Sequence, residues 1–197
     1  MIYFPRNLLI TAAFLTACVF AMGFYVLHLK RQSEETSARL QLQSLTPHAS
    51  GPQEKVPVFI AYDDEGVIRE ESDSVPVSNE PSERAREVLR AVLTRYLEKP
   101  SPHPLGPGSE VKDVYIVNRN LAVVDINSDF ANQHRSGVLV ESLTIASMIE
   151  TLATNVPQIT RVKIMVDGKE RDTLSGHVDL MGTYNVSDVH ALVKAMQ

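Results

Sequence analysis

Residues 8–29 read LLITAAFLTACVFAMGFYVLHL, 22 positions without Asp, Glu, Lys or Arg. As a helix rising about 1.5 Å per residue this run spans about 33 Å, the thickness of a bilayer core, so it predicts one transmembrane helix. Arg6 stands before it and Lys30 and Arg31 after it, placing cations at both head-group levels. Two other readings stay open. Leu15-Thr16-Ala17-Cys18 has the form of a bacterial lipobox, which would leave Cys18 lipidated, and the segment can also be read as a cleaved secretory signal. Against both, residues 19–29 stay apolar beyond the cysteine and residues 21–23 form no A-x-A-like site. The flanking cations, counted alone, lean slightly toward a cytoplasmic domain.

The rest of the chain is mildly acidic, since Arg6 is the only charged residue among the first 29 and the whole carries a net charge of -5. No stretch gathers Lys and Arg into a patch that could follow a phosphate backbone, so nucleic acid is not an expected partner. Cys18 is the only cysteine. A disulfide or a cysteine metal site beyond the membrane is thereby excluded. Residues 30–55 are polar, with Pro47, Gly51 and Pro52, and read as a stalk. The domain limits expected are a tail at 1–7, the membrane helix at 8–29, the stalk at 30–55, a folded domain at 56–182 and a tail at 183–197.

Alternation of Val56, Val58, Ile60 and Tyr62 predicts a first strand, with Asp63 to Gly66 as a turn and 67–77 as an irregular return strand. Ser78 or Asn79 can cap a helix in which Pro81 fits the first turn. Ala85, Val88, Leu89, Val92, Leu93, Tyr96 and Leu97 share one face of it, and Pro100 stops it. Residues 111–117 and 121–126 predict a hairpin joined through Asn118, Arg119 and Asn120. A helix over 136–155 follows a polar turn, with Leu139, Leu143, Ala146, Ile149, Leu152 and Ala153 as core and Val138, Ile145 and Met148 widening the stripe. Residues 160–166 alternate cleanly, Asp167-Gly168 makes a tight turn, and 169–172 form a charged return strand that finishes the sheet. A short amphipathic helix from Ser187 is expected to dock on the domain. The fold class expected is α+β, a mainly antiparallel sheet with two helices on one face in the order ββαββαββ.

No constellation points to chemistry. Asp125, Asn127 and Asp129 imitate the start of a calcium loop, but Phe130 and Ser136 occupy the places of its Gly and bidentate Glu. The better reading is that Asp125 ends a strand, Asn127 or Asp129 caps a turn and Phe130 fills the core. The six histidines contain no metal-binding pair at i, i+4, and neither a metal nor a cofactor is expected. Ser109 and Lys112 spell S-x-x-K but fall at a strand, where they point to opposite faces. Asp129, His134 and Arg135 are expected to form an exposed polar lip at a helix entrance, and His177 and Asp179 to shape a turn.

The helix ending at Lys99-Pro100, then VVDINSDF (123–130), the long helix, VKIMVDGKE (162–170) and TLSGHVDL (173–180) together resemble the GerMN domain of spore germination and sporulation proteins. The resemblance covers about residues 57–182. It implies an extracytoplasmic, membrane-tethered or lipid-anchored bacterial module, similar in fold to ring-building domains of secretion and sporulation channels, that assembles with proteins and is not an enzyme. This turns the orientation outward, against the charge count, and gives a single-pass inner-membrane protein with envelope proteins or its own copies as partners. Sporulation members can carry two such domains, and this chain has length for one. The candidate partner-binding residues are Val58, Ile60 and Tyr62 on a strand edge, with Asp129, His134, Arg135, His177 and Asp179. The alternative function is a small-molecule or cell-wall glycan module using Tyr62, His103, Tyr115 or His177 in a cleft.

Overall fold

The computed structural model describes residues 52–197. The expected membrane helix, Cys18 and the stalk as far as residue 51 lie outside the described residues. The first strand, β1 (Gln53–Tyr62), begins three residues before the expected start and pairs antiparallel with β2 (Val67–Pro76). β2 is regular along all ten residues rather than irregular. Helix α1 (Pro81–Leu97) follows, capped by the Glu80 carboxylate on the Glu83 N–H rather than by Ser78 or Asn79. β3 (Val111–Val117) and β4 (Leu121–Ile126) form the expected hairpin, in which Asn118 and Arg119 adopt positive φ. A short helix α2 (Ser128–Asn132) replaces the polar turn, capped by the Asn127 side chain on the Phe130 N–H. Then come α3 (Val138–Asn155), β5 (Arg161–Val166), β6 (Tyr184–Asn185) and α4 (Val186–Ala195).

The class is α+β, but the strands form two sheets rather than one. β1 and β2 make a two-stranded antiparallel sheet, and the other is four-stranded, ordered β3-β4-β5-β6. The latter is mixed because β5 runs parallel to β4. A parallel neighbour needs a crossover, and the segment carrying α2 and α3 is that crossover. The charged return strand at 169–172 does not form. Asp167 (φ 50°) and Gly168 (φ 70°) make the tight turn, yet beyond one bridge between Val166 and Lys169 the chain leaves as a loop. Its place beside β5 is taken by β6.

Leu89 of α1, Met148, Ile149 and Leu152 of α3, and Val124, Val162 and Ile164 of the sheet enclose one apolar core. Both long helices therefore cover the same face of the four-stranded sheet. Helix α3 is buried from Leu143 to Leu152 on every side, as a helix between other layers must be. Its first turn is the exception: Val138 is 65% and Leu139 50% exposed, against the expectation that both are core, because the loop at 175–178 covers the Glu141 side of that turn and leaves these two side chains in solvent. Leu97 is likewise exposed, at the last turn of α1. Val189 and Val193 dock α4 on the domain as expected.

The edge of β1 that faces away from β2 is closed by side chains. The Phe59 N–H donates to Thr151 Oγ1 (2.8 Å), the Ala61 N–H donates to the Tyr96 hydroxyl (2.9 Å), and the Pro57 carbonyl accepts from Asn155 Nδ2 (2.7 Å). Tyr96 in turn donates to Ser147 Oγ (2.8 Å). Burial raises the pKa of this phenol, so it serves as a hydrogen-bonding post. Tyr96→Phe leaves the buried Ala61 N–H without a partner and is expected to cost about 1–3 kcal/mol. Urea denaturation checks this, and a midpoint unchanged from wild type would refute it.

Candidate functional site around the third helix

Glu141, Thr144, Ser147, Thr151 and Asn155 recur at helical spacing and fall on one side of α3, where all are buried. Buried polar groups must find partners, and together these fasten several segments to the helix. Thr151 and Asn155 hold β1, and Ser147 holds Tyr96 of α1. Thr144 stands between two imidazoles, with Oγ1 2.6 Å from His103 Nε2 and 2.7 Å from His134 Nε2. His103 Nδ1 meets Asp63 Oδ1 at 2.5 Å, and Arg135 donates to the other oxygen of Asp63 at 2.7 Å. Nδ1 of His134 faces the Arg135 carbonyl at 2.7 Å, an acceptor only, so that nitrogen carries the ring proton. Burial lowers the pKa of His134 and favours the neutral ring.

An Asp-His-Thr series suggests an activated hydroxyl, but both His103 and Thr144 are 0% exposed. A nucleophile must reach its substrate, and this one is walled in. The cluster ties the β1–β2 turn, the loop after α1 and the entrance of α3 into one unit.

One turn earlier, Glu141 is also 0% exposed. Its Oε2 accepts the N–H groups of Ser175 (3.1 Å), His177 (3.1 Å) and Val178 (2.9 Å), and its Oε1 takes the Gly137 N–H (3.1 Å) and His177 Nδ1 (2.9 Å). Burial pushes its carboxyl pKa up, but the donors from Val178, Gly137, His177 and Ser175 outweigh this and hold it down at about 2. Gly176, at φ 114°, permits the curl that turns these amides toward one oxygen. Leu174 and Leu180 are thereby held fully buried at the ends of the loop.

On the sheet face opposite the helices, Tyr115 is 54% and Val117 40% exposed, with Leu121, Val123 and Met165 half-buried on the same side. This is the apolar part of the open face. Among the described residues no group of three or more His, Cys, Asp or Glu is placed to hold a metal ion. No described helix is long and apolar enough to cross a membrane.

A family model described as Germane, sporulation and spore germination, matches residues 57–172, more than half of the chain. The chain belongs to the Germane family. No curated protein matches this Germane chain in sequence. Among solved structures, the tandem GerMN domains of the sporulation protein GerM from Bacillus subtilis align with a TM-score of 0.51 at 17% identity, over 70% of this chain and 48% of that one. A Clostridium perfringens protein described as a lipoprotein gives 0.48 at 18% identity, over 73% and 94%. The first GerMN domain of GerM alone gives 0.42 at 18%, over 64% and 94%. The tandem match shows a shared fold, and this chain spans about half the length of that protein.

The Germane domain brings together some of the residues singled out from sequence. His134, Arg135 and His177 meet around the entrance of α3, with Ser136 Oγ 3.3 Å from His177 Nδ1. His134 is buried there rather than exposed on a lip. Asp129 lies apart in α2, where it accepts from Gln133 at 3.1 Å. Asp179 shapes its turn by accepting the Met181 N–H at 2.7 Å. Val58 and Ile60 are core residues, at 0% and 1% exposure, and the β1 edge that carries them is closed, which removes the basis for strand addition there. Tyr62 donates to Glu71 at 2.6 Å beneath the Arg69 guanidinium. Asp63, Thr144 and Glu141 were not singled out by sequence reasoning. The one signal for Thr144 and Glu141 was a polar face interrupting an otherwise apolar helix, whereas Asp63 showed only as a turn residue.

Proposed function

We propose that this Germane domain is a non-catalytic binding module of a bacterial cell envelope, tethered to the inner membrane by residues 8–29 with the domain on the extracytoplasmic side. It docks a second envelope protein through the open face of the four-stranded sheet. The observation that supports this reading is the exposure of Tyr115 and Val117 beside half-buried apolar neighbours, while the buried His103, His134 and Glu141 around the start of α3 are locked in structural contacts. An exposed aromatic flanked by aliphatic side chains, as Tyr115 is on the edge strand β3, has the composition of an interface hot spot. The tether rests on the uncharged 22-residue run and the outward orientation on the family resemblance. The small-molecule or glycan alternative loses His103, which is fully buried and cannot line a cleft.

A photo-crosslinking residue at position 115 of the full-length protein, in its native membranes, tests this. The expected result is one or two specific protein adducts, absent when the crosslinker stands at the exposed turn residue Asp64 and reduced at least about tenfold by Val117→Arg. Adducts containing only this chain would make the partner a second copy. Equal labelling from positions 115 and 64 would refute the docking face.

A further inference from the structure

An open groove of about 590 Å³ lies between the C-terminal end of α3 and the start of α4. Ala153, Pro157, Ile159 and Val186 supply apolar walls, and Thr154, Thr160 and Ser187 add hydroxyls. The charged residue at its margin is Glu150, whose side chain is 5% exposed. Oε1 of Glu150 meets His190 Nδ1 at 2.7 Å, whereas Oε2 is buried without a hydrogen-bond partner among the described residues. A buried carboxylate oxygen left unpaired is costly, so Oε2 is an acceptor suited to a donor that enters through the groove.

We propose that this groove binds an alkylammonium group, as at the end of a lysine side chain, with Glu150 as its anion. Three features fix that chemistry. Among the residues lining the groove, Glu150 is the only one with a carboxylate, and none is Lys or Arg. The last turn of α3 itself carries no basic residue, the Arg84 guanidinium that donates to the Asn155 carbonyl (3.0 Å) is not among the groove's lining residues, and Asp188 offsets the positive end of α4. The apolar walls suit an aliphatic stem while the hydroxyls can accept the remaining ammonium protons. His190 is 65% exposed, so it can rotate away and yield its oxygen as the ligand enters.

The full-length protein in detergent micelles is titrated with Nα-acetyl-lysine methylamide while the His190 ring resonances, assigned with His190→Ala, are followed by NMR. Saturable displacement of His190 is expected. Nα-acetyl-norleucine methylamide, which keeps the stem without the amine, should bind at least about tenfold more weakly, as should the lysine probe to Glu150→Gln. His190→Ala, read by calorimetry, should bind the lysine probe as tightly or more tightly. Cadaverine and a lysine-containing peptide in parallel separate a free diamine from a peptide side chain as the source. No saturable shift up to about 50 mM probe, or equal binding of the norleucine compound, would overturn the proposal and leave Glu150 as a tether for α4. The norleucine comparison needs no variant, so it stands even where Glu150→Gln weakens the docking of α4.

Discussion

Glu141→Gln is expected to destabilise the domain by about 3–5 kcal/mol and to release the loop carrying Ser175, His177 and Val178. An amide has one oxygen where the carboxylate has two. With that oxygen toward the three loop amides, its NH₂ confronts the Gly137 N–H; reversed, it confronts the loop itself. Either arrangement sets donor against donor in a buried site. The same residue predicts an acid transition. Its folded pKa is about 2 against an ordinary 4.5, so its contribution is fully present above about pH 4.5 and is lost as pH falls toward 2. By linkage that contribution is about 3 kcal/mol. Urea denaturation at a series of pH values should therefore show wild type losing more stability than the variant across that window. Hydrogen exchange should quicken at residues 173–180 in the variant. Equal stability of the two proteins at neutral pH would show that the loop is held by something else.

Thr144→Val is expected to cost about 2–5 kcal/mol although the two side chains have nearly the same shape. The hydroxyl is the shared partner of His103 Nε2 and His134 Nε2, and its loss leaves two buried ring nitrogens facing a methyl group. Thr144→Ser keeps the hydroxyl and should stay within about 1.5 kcal/mol of wild type, a loss set by one methyl group. Urea denaturation of the three proteins makes the comparison. If valine and serine behave alike, packing rather than hydrogen bonding holds this cluster together.

The two variants probe the part of the domain that was least legible beforehand. Glu141 and Thr144 sit in a segment whose apolar periodicity marks a helix, and that periodicity was sufficient to place α3 within two residues of its observed start. It assigned the wrong exposure to the first turn, because Val138 and Leu139 continue the apolar stripe where the neighbouring loop covers only the Glu141 side of the helix. Pairing is harder still to read from a single chain. The clean alternation in 160–166 matches a strand with Val162, Ile164 and Val166 buried, yet alternation is the same whether a strand's neighbour is parallel or antiparallel. The charged segment 169–172 follows a hairpin turn and so has the local pattern of a strand, whereas the chain departs there toward the carboxylate of Glu141.

What this sequence determined by itself is local: an uncharged run long enough for a bilayer, two long helices bounded by proline, a hairpin with its turn, and the ordered motifs that place the chain in the Germane family. Those features depend on neighbours a few residues apart, and backbone geometry enforces them wherever the segment lies. The tertiary structure decided the split into two sheets, the parallel pairing, the closure of the β1 edge and the burial of the polar face of α3. Each rests on partners far apart in the chain, such as Glu141 with Val178 at a separation of 37 residues and Phe59 with Thr151 at 92. A buried polar group reveals its role only when the partner that offsets its desolvation comes into place.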